Sequence, residues 1–186
     1  MPRTSDKREK LLTAARELIH QQGYHHTTLA EIAQRSEVPL GNVYYYFKTK
    51  DDIAAAVINE HLESFRAQFK QWETEIPAPS ARLTALLDYL ESLKHVMAEV
   101  GCPIGSLCQE LSKENGQLAE QASNILTFQL NWVEQQFATM GHENARTLAV
   151  ELVTNLQGIS LMANSLNDAE LVSQQLARLR RWLAAL

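Results

Sequence analysis

Residues 28–47 read Thr-Leu-Ala-Glu-Ile-Ala-Gln-Arg-Ser-Glu-Val-Pro-Leu-Gly-Asn-Val-Tyr-Tyr-Tyr-Phe, and the punctuation of this stretch decides the fold. Thr28 followed by Glu31 has the form of a capping box, which predicts a helix from Leu29 to about Arg35. Ser36-Glu37-Val38 reads as a turn. Pro39 suits the first turn of the next helix, where its missing N–H costs little, and that helix ends near Tyr46. Two short helices about a three-residue turn, with a longer helix before them, form a helix-turn-helix. Ala33 and Val38 are small and apolar where the two helices would meet.

Outward from this stretch the chain stays helical. Leu11, Leu12, Ala15, Leu18 and Ile19 make one stripe of a first helix over about 6–22, ended by Gly23. Thr49 is placed to cap a long fourth helix carrying Ile53, Val57, Phe65, Phe69 and Trp72, which stops before Pro77. A stripe from Leu83 to Met97 follows, broken at Gly101-Cys102-Pro103-Ile104-Gly105. Further helices are predicted over about 116–139, 143–165 and 169–183. With a short segment after the break, the reading is an all-α protein of about nine helices.

Composition agrees. The chain has 186 residues, 45% of them hydrophobic, but only 7 Gly and 5 Pro, too few to punctuate a many-stranded sandwich or barrel. No apolar run approaches the roughly 20 residues of a membrane span, and no apolar stretch follows the charged N-terminus, so neither membrane nor signal peptide is expected. The two cysteines do not make a disulfide framework. His20, His25 and His26 lack the spacing of a three-ligand metal site. No phosphate-binding loop, nucleophile elbow or metalloprotease motif is found. The expectation is a cytoplasmic protein that is not an enzyme and uses no metal or cofactor.

Charge divides the chain. Residues 1–50 carry eight basic and five acidic residues, whereas 51–186 carry nine and seventeen. A basic head on an acidic body would orient the molecule on a polyanion. The exposed face of the third helix would carry Leu40, Gly41, Asn42, Tyr44, Tyr45 and Tyr46. Gly41 lets backbone approach a duplex, Asn42 can pair with a base edge, and tyrosine hydroxyls reach phosphates. Lys48 and Lys50 follow at the helix end.

Residues 5–65 resemble the DNA-binding domain of TetR-type transcriptional regulators. The resemblance lies in Ala-Ala-Arg-Glu-Leu-Ile at 14–19, Gly23-Tyr24, Thr27-Thr28, Leu29-Ala30-Glu31-Ile32-Ala33, and the run from Gly41 to Lys50. It implies an N-terminal three-helix DNA-binding domain over 5–65, with the helix-turn-helix at about 28–47. A helical ligand-binding and dimerisation domain would occupy 66–186. It implies a homodimeric repressor released from a palindromic double-stranded operator by a small-molecule effector. By position it places Thr28, Val38, Leu40, Gly41, Asn42, Tyr44, Tyr45, Tyr46 and Lys50 near DNA, and Phe47 in the core. Position 40 is Leu where relatives often have Lys, and position 46 is Tyr where they often have His, so base preference does not transfer.

For the second domain the expectations are residue sets. Phe65, Phe69, Phe128, Trp132 and Met162 are candidates to line an effector cavity, beside Cys102, Ile104 and Leu107, with His95 and Asn124 as polar contacts. The scarcity of basic residues there favours an apolar or mildly polar effector. Leu152, Leu156, Ile159, Leu176, Leu179, Trp182 and Leu183 on the last two helices are candidates for a dimer interface. Two other functions stay open. One is a helical protein-interaction module without a DNA role. The other is a thiol-sensing regulator using Cys102, although its sulfur and that of Cys108 would lie about 9 Å apart along a continuous helix.

Overall fold

The computed structural model describes residues 4–114 and 116–186. Among them are ten helices: α1 (Thr4–Gln22), α2 (Leu29–Ser36), α3 (Leu40–Tyr46), α4 (Lys50–Glu75), α5 (Pro79–Ser92), α6 (Lys94–Val100), α7 (Pro103–Leu111), α8 (Gln117–Thr139), α9 (Ala145–Leu166) and α10 (Ala169–Ala184). The described residues contain no strand. The all-α expectation holds. The tenth helix arises at Leu93, where the stripe expected to run on to Met97 splits into α5 and α6.

Nothing local in the sequence marks that split, for it contains neither Gly nor Pro. It is held by Glu91 and Lys94 on either side of it together with Ser173, which is distant in sequence. The Lys94 ammonium donates to Glu91 at 3.3 Å and to Ser173 at 3.0 Å, and the Ser173 hydroxyl donates to the same Glu91 oxygen at 2.6 Å. This network ties the α5–α6 corner to α10.

The chain forms two compact units, one of residues up to 63 with 103–125, the other of 64–102 with 126–186. The contiguous division at 65/66 expected from the sequence differs from this grouping, because α7 packs on α1. In the first unit, Leu11, Ala15 and Ile19 of α1, Ile32 and Ala33 of α2, Val43 of α3, and Ile53, Ala54 and Val57 of α4 are buried. Ile104 and Leu107 of α7 are buried in the same unit.

The second unit is built on aromatic and aliphatic residues of α4, α5, α6, α8, α9 and α10. Arg82 closes the open end of α4. Its guanidinium donates to the backbone oxygens of Glu73, Ile76 and Pro77 and to Oε1 of the buried Gln136. Carbonyls that helix geometry leaves without partners are thereby satisfied.

Candidate nucleic-acid interface

Each end of α2 is fixed by its own chemistry. At its start the Glu31 N–H donates to the Thr28 hydroxyl oxygen at 3.2 Å, and the Thr28 N–H donates to the Glu31 carboxylate at 2.8 Å. The bonds from the Thr28 hydroxyl and then the Thr28 N–H hold the Glu31 carboxyl below its ordinary range. At its end, the Glu37 N–H reaches the Gln34 oxygen and the Val38 N–H reaches the Ala33 oxygen. That pair of bonds is the Schellman arrangement, and it puts Glu37 in the left-handed region at φ 56°. Val38 and Ala33 are buried, as this motif favours.

α3 leaves the turn from Pro39, which occupies the N-cap position. Val43 is fully buried and Phe47 nearly so. These two anchors, one turn apart, fix which side of the helix faces out. At about 100° per residue, Gly41 and Tyr45 stand nearly opposite Val43. Leu40, Gly41, Tyr44 and Tyr45 are exposed, while Asn42 and Tyr46 are half-buried. Tyr45 is 72% exposed and meets Tyr46 edge-on at 5.1 Å between ring centres.

The far end of α3 is tied to α4. The Asp52 carboxylate accepts from the Lys48 and Thr49 N–H groups, both at 2.9 Å, and the Thr49 hydroxyl oxygen accepts from the Asp52 N–H. Thr49 is thus the cap expected of it. The exposed Lys48 donates its ammonium to the Tyr44 oxygen.

Two residues placed near DNA by resemblance sit otherwise in this fold. Val38 is 4% exposed, so it spaces α2 from α3 and offers nothing to a duplex. Lys50 turns inward: its ammonium donates to the Tyr24 oxygen at 3.0 Å and the His25 oxygen at 3.3 Å. Its charge is consumed by two carbonyls at the C-terminal side of α1. Thr28 is exposed, with its hydroxyl engaged in the cap.

Sequence reasoning missed the supports of the link between α1 and α2. The Tyr24 hydroxyl bonds to the Asp51 carboxylate, and burial followed by Asp51 raises its pKa. The Glu110 carboxylate of α7 accepts the His25 N–H at 3.1 Å, and Glu114 lies 3.5 Å from His25 Nδ1. Glu110 is 85 residues from His25 in the chain, and no local pattern signals such a pairing.

In the second unit, four of the effector candidates are brought together. Phe69 stacks on Trp132 at 4.1 Å and on Phe128 at 5.7 Å, and Phe65 lies 5.8 Å from Phe69. Trp72 joins them, the Trp132 Nε1–H donates to Glu73 at 2.8 Å, and Arg66 stands over Phe128. His95, Asn124 and Met162 are on the surface. They lie beside apolar stripes in sequence, but helical phase turns them outward. Ile104 and Leu107 are core residues of the first unit, and Cys102 is half-buried.

The expected dimer residues are corrected too. Leu152, Leu156, Ile159, Leu176, Leu179 and Leu183 are buried within the protomer, and Trp182 is half-buried. The strongest stripes close the protomer's own core. The apolar surface left over is a different face of α9: Val150, Leu161, Met162 and Leu166.

The chain matches the family model "Bacterial regulatory proteins, tetR family" over residues 11–57. An uncharacterised helix-turn-helix regulator from Lactococcus lactis is 33% identical over 115 residues, 56% of this chain and 55% of its own length. This chain thus aligns with just over half of that relative. The transcriptional regulator LmrA of Bacillus subtilis is 28% identical over 172 residues, 90% of this chain and 92% of its own. Among solved structures, a TetR-family regulator from Streptomyces coelicolor superposes with a TM-score of 0.86 at 21% identity, covering 96% of this chain and 94% of its own. FadR of Bacillus subtilis, solved with stearoyl-CoA, superposes at 0.70 and 21% identity, covering 91% and 95%. The family match falls on the helices that form the exposed tyrosine face, and the likeness in fold runs through the helices beyond it. Residues 11–57 are a DNA-binding domain of the TetR family of helix-turn-helix transcriptional regulators.

Proposed function

We propose that this DNA-binding regulator is a homodimeric repressor, released from a palindromic operator by a small apolar or mildly polar effector. Residues 5–65 do the DNA work and 66–186 hold the effector and the twin, in the cytoplasm where the operator lies. The observation that carries the reading is the polarity of α3. Val43 and Phe47 are sunk in the core, so Leu40, Gly41, Tyr44 and Tyr45 are displayed together, a neutral face suited to a groove.

The aromatic cluster of Phe65, Phe69, Trp72, Phe128 and Trp132 supports an apolar effector, since rings favour flat or extended apolar partners. FadR of Bacillus subtilis, captured with stearoyl-CoA, offers a precedent for a bulky acyl ligand in this fold. α4 is one continuous helix that carries Asp52 beside the end of α3 and Phe65 and Phe69 in the cluster.

α9 supports the dimer. Its residues 152–166 contain no charge, and its outer face presents Val150, Thr154, Gly158 and Leu161. A methyl group at Gly158 would meet nothing within 4 Å. Glycine inside a helix costs about 1 kcal/mol relative to alanine, and the protomer draws no packing benefit from it. A close helix of a second copy supplies the reason.

Linkage gives the test. Compounds that raise the melting temperature are titrated calorimetrically into the protein with and without selected operator DNA. An effector loses affinity in the presence of operator by the same factor that operator loses in the presence of effector, typically about 5–150-fold. Equal affinities in both titrations overturn ligand-released repression.

A further inference from the structure

We infer that α3 reads its operator half-site through thymine methyl groups and adenine, with Leu40 and Tyr45 as methyl contacts and Asn42 as the adenine partner, and without a cation on guanine. This rests on the reading of α3 as the DNA-facing helix. It adds the class of base pair that the helix selects.

The first observation is the absence of charge. α3 reads Leu-Gly-Asn-Val-Tyr-Tyr-Tyr, with no acid and no base. Guanine is recognised most often by Arg or Lys donating to its O6 and N7, and cytosine by a carboxylate accepting from its N4 amino group. Neither group is available on this helix. Three cations of the same unit are engaged. Lys50 is folded onto the Tyr24 and His25 carbonyls, Arg35 is held by Glu17 at 2.8 Å, and Arg16 by Glu60 at 3.2 Å. Lys48 lies at the C-terminal end of α3, bonded to the Tyr44 oxygen. From there it serves a phosphate.

The second observation is what the exposed face holds instead. Leu40 and Tyr45 are large apolar surfaces, 39% and 72% exposed. An exposed leucine at the first residue of a recognition helix gains nothing from water. Against the C5-methyl of thymine it buries apolar area, and thymine alone among the bases carries that methyl in the major groove. Asn42 carries the donor and acceptor pair that matches adenine N7 and N6.

The third observation is Gly41. It lies within α3, and a methyl placed there would meet nothing within 4 Å in the protein. Its φ is an ordinary one, so no backbone strain demands glycine. The glycine sits almost opposite the buried Val43, at the centre of the outward face between Leu40 and Tyr45. Its missing side chain lowers the face where it would meet the groove. Short methyl contacts on either side need that close approach.

The experiment uses the full chain and a pool of random duplexes. Selection is expected to yield inverted half-sites whose central positions are A·T pairs. Selected thymines are then replaced one at a time by deoxyuridine, which removes only the methyl. At one or two positions per half-site, affinity is expected to fall about fourfold, the worth of one buried methylene-sized group. Leu40→Ala is expected to lose the same factor on thymine and to bind the uracil site as well as wild type does. Leu40→Lys is expected to shift selection toward guanine. Half-sites centred on guanine, with no response to uracil anywhere, overturn the inference while leaving DNA recognition by α3 standing. A chain that enriches no sequence and binds no duplex brings down both.

Discussion

The Lys50 ammonium stands 4.2 Å from the centre of the Tyr24 ring and donates to the Tyr24 carbonyl oxygen, so this lysine serves the fold. Replacing it by glutamine is expected to cost about 1–2 kcal/mol of stability, from a partly desolvated cation–π contact and two charge-assisted bonds. DNA binding reports separately. Lys48→Gln removes one phosphate contact and is expected to reduce the slope of log affinity against log salt by about 1. Lys50→Gln should leave that slope unchanged. Equal losses of slope in the two variants would put Lys50 on the phosphate backbone.

Glu37 occupies a left-handed conformation that costs a residue with a Cβ about 1 kcal/mol. Glu37→Gly is expected to raise stability by about 0.5–1 kcal/mol in urea unfolding. Thr28→Ala, at the other end of α2, is expected to lower it by about 1 kcal/mol by removing the cap. No gain from Glu37→Gly would mean that the turn derives compensating stability from the glutamate side chain.

Gly41→Ala should separate stability from function. The site is helical and open, so alanine is expected to stabilise the protein by up to about 1 kcal/mol. The same methyl stands where the duplex must approach, and affinity for selected DNA is expected to fall at least tenfold. Unchanged affinity would show that α3 does not approach DNA at this position.

His61 is depressed from 6.5 to about 4, first by burial and then by the positive charge of Arg16 and by His20. The unfolded chain therefore binds a proton near pH 6.5 that the folded chain refuses until about pH 4. Its contribution to stability is complete above the unfolded value and is lost as pH falls toward the folded one. Between pH 7.5 and 4.5 this amounts to about 2–3 kcal/mol. Urea unfolding of wild type and His61→Gln at both pH values checks it. Parallel losses of stability in the two proteins would remove His61 as the source.

Leu161→Glu puts a charge on the outer face of α9, where Leu161 is 61% exposed in the protomer. Stability of the isolated protomer is expected to change by less than about 0.5 kcal/mol, as for other exposed positions. Sedimentation at micromolar concentration is expected to change from dimer to monomer, with loss of binding to a palindromic site. A variant that stays dimeric would move the interface elsewhere.

The helix-turn-helix was legible because its signals are local. A cap, a glycine after a helix and a proline before one act within three or four residues, and Thr28, Gly23 and Pro39 did so here. The aromatic gathering of Phe65, Phe69, Phe128 and Trp132 was half legible. Helical spacing marked the residues, but the stacking of α4 on α8 is a matter of three dimensions.

Sequence by itself determined the all-α class, the three N-terminal helices and the display of Leu40, Gly41, Tyr44 and Tyr45 on α3, because capping and a 3.6-residue period operate along the chain, whereas the half-burial of Asn42 and Tyr46 came from packing. Tertiary structure alone decided which apolar stripe is core and which is left outside. Leu152 and Leu161 are equally apolar, and only the packing of neighbours against one side of α9 buries the first and exposes the second. Tertiary structure also decided the fate of charge. Lys48 and Lys50 are alike on paper, yet the second finds two carbonyls and a ring folded beneath it. Lys50 is committed inward by those three partners, whereas the exposed Lys48 has a single carbonyl partner and keeps donors for a phosphate.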